Sequence, residues 1–110
     1  MKIILRALHH SGFQDITISE FPFSIGRNET SFQELMNHSD EMRAAISYLS
    51  KKHAVISLKN ERIFISDFGS TNGTKVNGVP AGNEDIEIRH GDVIVLGKKL
   101  EYNVEDDAVL

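Results

Sequence analysis

One stretch of the sequence decides the fold: Asp67-Phe68-Gly69-Ser70-Thr71-Asn72-Gly73-Thr74-Lys75-Val76-Asn77-Gly78. It contains two Asn-Gly pairs, at 72–73 and at 77–78, which flank a short segment of β-prone residues. Asn and Gly tolerate positive φ, so such pairs are typical of the tight turns that join antiparallel strands. We therefore expect a loop, a short strand over Thr74–Val76 and a hairpin turn in an all-β protein.

Outward from this stretch, short segments rich in β-branched and aromatic residues recur along the chain, separated by turn signals. In Arg62–Ser66 and in Leu100–Val104 every second residue is apolar, as in strands with one buried face. This pattern predicts an all-β sandwich. The predicted strands are Lys2–Leu8, Asp15–Ser19, Phe23–Arg27, Ala54–Lys59, Arg62–Asp67, Thr74–Val76, Ile86–Arg89, Asp92–Leu96 and Leu100–Val104.

Residues 28 to 49 interrupt the β pattern and have helical character. Ser31 and Glu34 have capping-box spacing, and Ser39 or Asp40 can cap a second turn system. Apolar residues then recur at helical spacing, namely Met42, Ala45, Ile46 and Leu49. We interpret this as a single amphipathic helix inserted near residues 31–49. A lid over one open end of the core is favoured over a partner-binding helix.

Composition narrows the classes of function. The chain has 110 residues, which suits one domain, and its net charge of −4 argues against a nucleic-acid partner. It contains no Cys, so it has neither disulfides nor thiolate metal sites, and a cytoplasmic location is expected. No apolar run approaches the roughly 18 residues of a membrane span, so we expect no membrane association. His9, His10, His38 and His90 are scattered without ligand spacing, so no metal or other cofactor is expected.

Three segments supply groups that suit a phosphate ion. Arg27 ends a predicted strand and carries a planar fork that can donate two parallel hydrogen bonds to a phosphate dianion. The hydroxyls of Ser50 and Thr71 can donate to other phosphate oxygens. The backbone N–H of Lys51 can add a further bond, and Lys52 contributes a diffuse positive field.

Four motifs in this order resemble the forkhead-associated (FHA) domain. They are Gly26-Arg27, then Ser50-Lys51-Lys52-His53-Ala54, then Ser70-Thr71-Asn72-Gly73-Thr74-Lys75-Val76-Asn77-Gly78, and then Ile88-Arg89-His90-Gly91-Asp92-Val93-Ile94-Val95-Leu96-Gly97. The resemblance implies a β-sandwich of about eleven strands whose loops at one end bind phosphothreonine peptides. It also implies a single domain over residues 1–110, with a core at about 2–104 and an acidic tail or linker start at 105–110.

The resemblance implies a role for each matching residue. Arg27, Ser50 and Thr71 would hold the phosphate, and Asn72 would hydrogen-bond the peptide backbone beside the phosphothreonine. The scaffolding residues would be Gly26, His53, Asn77 and Gly78. The connection between Arg27 and Ser50 is longer than is usual in the family.

We therefore expect a phosphothreonine-binding module in Ser/Thr kinase signalling and not an enzyme. Its partner would be a phosphothreonine-containing protein or peptide, from a Ser/Thr kinase or its substrate; the oligomeric state stays open. The alternative is a phosphate-independent interaction domain of the same fold that uses the sandwich face or the inserted helix. Asp67-Phe68-Gly69 spells a kinase motif, but the chain is too short and has no accompanying kinase motifs.

Overall fold

The computed structural model describes residues 1–8 and 12–109, and in this part of the chain ten strands and two helices are present. The strands are β1 Ile3–Ala7, β2 Ile16–Ile18, β3 Phe23–Ile25, β4 Ala54–Lys59, β5 Arg62–Asp67, β6 Thr74–Val76, β7 Val79–Pro80, β8 Ile86–Ile88, β9 Val93–Leu96 and β10 Leu100–Asp106. The helices are α1 Thr30–Leu35 and α2 Asp40–Ile46.

The strands form two antiparallel sheets, which confirms the predicted all-β sandwich. One sheet has six strands in the order β2-β1-β10-β9-β6-β7, and the other has four in the order β3-β4-β5-β8. Nine of the ten strands lie within predicted segments or overlap them. The unpredicted strand is β7, which has only two residues and contains a proline, too little sequence for a strand pattern.

Two hairpin turns have consecutive residues at positive φ, and one of them is the predicted turn at the Asn-Gly pair 77–78. Asn60 and Glu61 link β4 to β5 with φ of 52° and 64°. Asn77 and Gly78 link β6 to β7 with φ of 51° and 82°. Two consecutive residues at positive φ match the right-handed twist of the strands on either side. These turns therefore set the register of both hairpins.

The last strand is longer than predicted. β10 continues past Val104 to Asp106, which pairs with Ile3 of β1. Glu105 forms an ion pair with Arg6 on the same sheet, with 2.6 Å between the carboxylate and the guanidinium. The first two residues of the predicted acidic tail therefore belong to the sheet.

The helical insertion is present, but it consists of two short helices rather than one. Ser39 lies between them with an extended backbone (φ −159°, ψ 162°), and its side-chain oxygen accepts the N–H of Met42 at 3.1 Å. The predicted cap at Ser31 is wrong, because α1 begins at Thr30 and its N-cap residue is Glu29. Ser39 is thus the N-cap of α2, and it lies three residues after Met36, the C-cap residue of α1.

Both helices pack against the sandwich. Phe32 of α1 and the apolar stripe of α2 are buried within the same cluster as the strands. The buried stripe of α2 consists of Met42, Ala45 and Ile46, and Leu49, which follows the helix, is buried beside them. This burial supports the interpretation of the insertion as a lid. In the described part of the chain, no helix has the length and apolar character needed to cross a bilayer.

Candidate functional site

A groove of about 440 Å³ lies where the residues after α2, the end of β3 and the β5–β6 loop meet. It is lined by Arg27, Ser47, Tyr48, Leu49, Ser50, Lys51, Thr71 and Asn72. Five of the predicted site residues are thus brought together, whereas Lys52 is exposed and does not line the groove. Among the residues that the structure describes, no acidic residue lines it. Ser47, Tyr48 and Leu49 were not predicted, although they directly precede Ser50 in the sequence.

Backbone pairing places Arg27 beside Ser50. The N–H of Arg27 donates to the carbonyl of Ser50 at 3.0 Å, and the N–H of His53 donates to the carbonyl of Ile25 at 2.8 Å. Gly26 lies at the closest point of these two segments. A Cβ there would lie 2.2 Å from the carbonyl oxygen of Lys51, so only glycine fits.

The donors of the groove are largely unused. The Ser50 Oγ accepts the N–H of Thr71 at 3.0 Å, which leaves the Ser50 hydroxyl proton free to donate. Within residues 1–8 and 12–109, the guanidinium of Arg27, the hydroxyl of Thr71 and the N–H of Lys51 have no hydrogen-bond partner. The groove therefore offers several free donors and no competing carboxylate.

His53 joins two of the loops that form the site. Its side chain is fully buried, with Nδ1 accepting the N–H of Ser50 at 3.1 Å and Nε2 lying 2.8 Å from the carbonyl of Gly73. These partners require the proton on Nε2, because a carbonyl can only accept. Both ring nitrogens are occupied, so His53 has no free nitrogen to act as a general base.

A buried carboxylate orders the β5–β6 loop, and sequence reasoning did not identify it. Asp67 accepts hydrogen bonds from the Ser70 N–H at 2.7 Å, the Ser70 hydroxyl at 2.6 Å and the Thr74 hydroxyl at 2.7 Å. Burial acts to raise the pKa of Asp67, but these hydrogen bonds and the attraction of His53 lower it overall. The sequence feature that could have indicated this role is an Asp three residues before a Ser in a glycine-containing loop.

Asn72 and Asn77 have different surroundings. Asn72 lines the groove, and its Nδ2 donates to the carbonyl of Tyr48 at 2.9 Å. Asn77 lies outside the groove, where its Oδ1 accepts the N–H of Val93 at 2.9 Å and its Nδ2 donates to Asp92 at 3.1 Å. Asn77 and its turn partner at position 78 are thus attached to the start of β9, away from the free donors.

The described residues contain no group of three or more His, Cys, Asp or Glu side chains that could hold a metal ion. The sequence also led us to expect no metal site at His9 and His10, and these two residues lie outside the described part of the chain.

Comparison with known proteins identifies the class. The model of the FHA domain family matches residues 23–97, and the chain belongs to this family. Mouse proliferation marker protein Ki-67 is 38% identical to it over 56 residues, which are 51% of this chain. The matched segment spans only 2% of the length of that protein.

Two solved structures extend the comparison to three dimensions. An FHA domain studied for its phosphothreonine-dependent interactions is 25% identical, with a TM-score of 0.70 over 96% of this chain and 97% of that one. The N-terminal FHA domain of Rad53p from Saccharomyces cerevisiae, in complex with a phosphothreonine peptide, is 31% identical. It has a TM-score of 0.52 over 58% of this chain and 56% of that one.

Proposed function

We propose that this chain, as a single domain over residues 1–110, binds phosphothreonine peptides and mediates phosphorylation-dependent contacts between proteins. The observation that carries the proposal is the groove in which Arg27, Ser50 and Thr71 have unused donors and no carboxylate competes for them. The two solved FHA domains, one studied for phosphothreonine-dependent interactions and one bound to a phosphothreonine peptide, support the same ligand.

The chemistry of the groove explains why the phosphate would decide binding. Phosphorylation changes a neutral threonine hydroxyl into a group of about −1.5 to −2 charges with three strong acceptors. Arg27 can donate to two of these oxygens at once, while Ser50, Thr71 and the N–H of Lys51 take the remaining acceptor positions. Each charge-assisted bond contributes roughly 1.5–3 kcal/mol, so the unphosphorylated peptide loses most of its affinity.

Asn72 would then bind the peptide backbone. One N–H of its amide is committed to the carbonyl of Tyr48. The second N–H and the Oδ1 have no partner in the described part of the chain, and a peptide group presents one donor and one acceptor to match them. Lys52, which lies outside the groove, would contribute only through its long-range positive field.

Equilibrium binding, not catalysis, is the proposed activity. A reaction on the bound phosphate would need a general base, and the nearby imidazole of His53 is buried with both nitrogens occupied. We propose that the module acts in Ser/Thr kinase signalling in the cytoplasm, on a phosphorylated segment of a kinase or of its substrate.

The test is the change Arg27→Ala. Binding of a phosphothreonine peptide library, measured by fluorescence anisotropy, should weaken by roughly a hundredfold, because the phosphate loses a charged partner that can donate two hydrogen bonds. Arg62→Ala is the matched control, since Arg62 is an exposed arginine that does not line the groove, and it should bind like the wild type. A folded Arg27→Ala protein, checked by circular dichroism, that binds as well as the wild type would contradict the proposal.

The alternative of phosphate-independent binding through the inserted helix has little support in the structure. Met42, Ala45 and Ile46 are at most 1% exposed, so the apolar face of α2 is not available to a partner. Phosphatase treatment of the natural partner distinguishes the two functions. Binding that survives dephosphorylation would favour the alternative, using the sandwich face.

A further inference from the structure

Phe68 is an aromatic residue that the fold leaves exposed beside the groove. It is 55% exposed, and it belongs to the β5–β6 loop, which supplies Thr71 and Asn72 to the groove. The other exposed large apolar residues in the described part of the chain lie outside this loop, namely Met1, Leu58, Val79 and Val109. One exposed apolar residue is ordinary on a protein surface, so its backbone and its surroundings decide whether it serves a ligand.

The backbone of Phe68 is fixed by its neighbours. Its N–H donates to the carbonyl of His53 at 2.9 Å. The residue before it, Asp67, is buried and accepts hydrogen bonds from Ser70 and Thr74. Neighbouring side chains of an extended segment point to opposite faces, so the inward position of Asp67 directs the ring of Phe68 outward. An aromatic side chain on a fixed backbone loses little conformational freedom when a ligand packs against it.

Three hydrogen bonds align the β5–β6 loop with residues 48–53, which contain the other half of the groove. They join Phe68 to His53, Thr71 to Ser50 and Asn72 to Tyr48. The residue numbers rise along one segment as they fall along the other, so the two segments run antiparallel. Phe68 is at one end of this alignment and Asn72 is at the other. The hydroxyls proposed to bind the phosphate lie between them, so a peptide bound there has Phe68 on one flank.

We propose that Phe68 binds a large apolar side chain of the ligand, on the flank opposite to the peptide group that Asn72 binds. Phe68 and Thr71 are three residues apart, which is at most about 10 Å along an extended chain. An extended peptide covers this distance in about three residues, so the apolar side chain lies within roughly one to three residues of the phosphothreonine. The inference rests on the proposed function, because Arg27 must first place the phosphothreonine.

The experiment uses phosphothreonine peptides in which each flanking position carries in turn Ala, Leu or Asn. Leu and Asn are similar in size, so their comparison separates apolar contact from bulk. At one flanking position the wild-type protein should bind the Leu peptide more tightly than the Ala and Asn peptides by roughly threefold to tenfold, as for a partly buried apolar contact. This preference should persist at high salt, which screens charges but does not weaken an apolar contact.

Phe68→Ser should remove the preference for Leu, while the Ala phosphopeptide, which offers Phe68 no large side chain, binds within about twofold of the wild type. Phe68→Leu should retain part of the preference, because it keeps an apolar surface at this position. Val109→Ser is the matched control, since Val109 is 61% exposed and does not line the groove, and it should keep the full preference. Circular dichroism checks that each variant is folded.

Three results would overturn the inference: no preference for Leu at any position, a preference that survives in Phe68→Ser, or an equal loss in Val109→Ser. Tight binding of the Ala phosphopeptide in those cases would leave the proposed function standing. Failure of every phosphopeptide to bind would refute both.

Discussion

At the scale of single residues, Gly26 shows how the absence of a side chain can determine whether a site forms. It lies where the end of β3 approaches residues 50–53, and the space beside its Cα is filled by the carbonyl of Lys51. That carbonyl also accepts the N–H of Asn28 at 3.3 Å. The close approach positions Arg27 next to Ser50, so the geometry of the groove depends on the absence of a Cβ.

We predict that Gly26→Ala lowers the free energy of unfolding by about 2 kcal/mol or more, because the added methyl must push two backbone segments apart. Urea denaturation followed by circular dichroism measures the loss. Gly82→Ala is the control, since a Cβ at Gly82 meets no atom within 4 Å and its φ is not positive; it should change stability by less than about 0.5 kcal/mol. Equal urea midpoints for Gly26→Ala and Gly82→Ala would contradict the prediction, because they would mean that the backbone segments at residues 26 and 51 can move apart at little cost.

At the scale of elements, the helical insertion is defined by its central cap. Ser39 accepts the N–H of Met42 and donates to the carbonyl of Gly12 at 2.5 Å, which attaches the start of α2 to the loop before β2. The apolar stripe of α2 was readable from spacing alone. The division into two helices was not, because the sequence offers Ser31, Ser39 and Asp40 as caps and only tertiary contacts select one of them.

We predict that Ser39→Ala lowers the free energy of unfolding by about 1 kcal/mol, since it removes the N-cap of α2 and leaves the Gly12 carbonyl without its partner. Ser31→Ala should change it by less than about 0.5 kcal/mol, because Ser31 lies inside α1 and caps nothing. Thermal or urea unfolding compares the two serines directly. A larger loss of stability in Ser31→Ala than in Ser39→Ala would contradict this prediction and would favour the capping box that the spacing of Ser31 and Glu34 indicates.

At the scale of the whole molecule, the sequence determined most of the fold because hairpin turns and strand alternation are local signals. Arg27, Ser50 and Thr71 were predicted from short motifs and line one groove in the structure, while their binding of phosphate stays a prediction. Asp67 was not predicted as a site residue, although its partners Ser70 and Thr74 lie only three and seven positions further along the chain. The carbonyl of Tyr48 meets the side chain of Asn72, 24 positions away, and no spacing rule describes such a contact.

Asp67 belongs to this scale because it connects the two sheets. It ends β5 of the four-stranded sheet and accepts a hydrogen bond from Thr74, the first residue of β6 in the six-stranded sheet. The hydrogen bonds lower its pKa in the folded protein below the ordinary value of 3.8, despite the opposing effect of burial. The unfolded chain therefore binds this proton more tightly than the folded protein does.

We predict that the contribution of Asp67 to stability is fully present above about pH 4 and is lost as the pH falls through the lowered pKa. Asp67→Asn should lower the free energy of unfolding at neutral pH by about 1–3 kcal/mol, because an amide cannot accept all the bonds of the carboxylate. The difference between the variant and the wild type should begin to shrink below about pH 4 and should be smallest below the lowered pKa, where Asp67 of the folded wild type is also neutral. Urea titrations at a series of pH values measure this difference, with Glu84→Gln as the exposed control that should match the wild type throughout. If the difference in unfolding free energy between Asp67→Asn and the wild type stayed constant down to low pH, the prediction would be wrong. The charge of Asp67 would then not be what stabilises the contact between the two sheets.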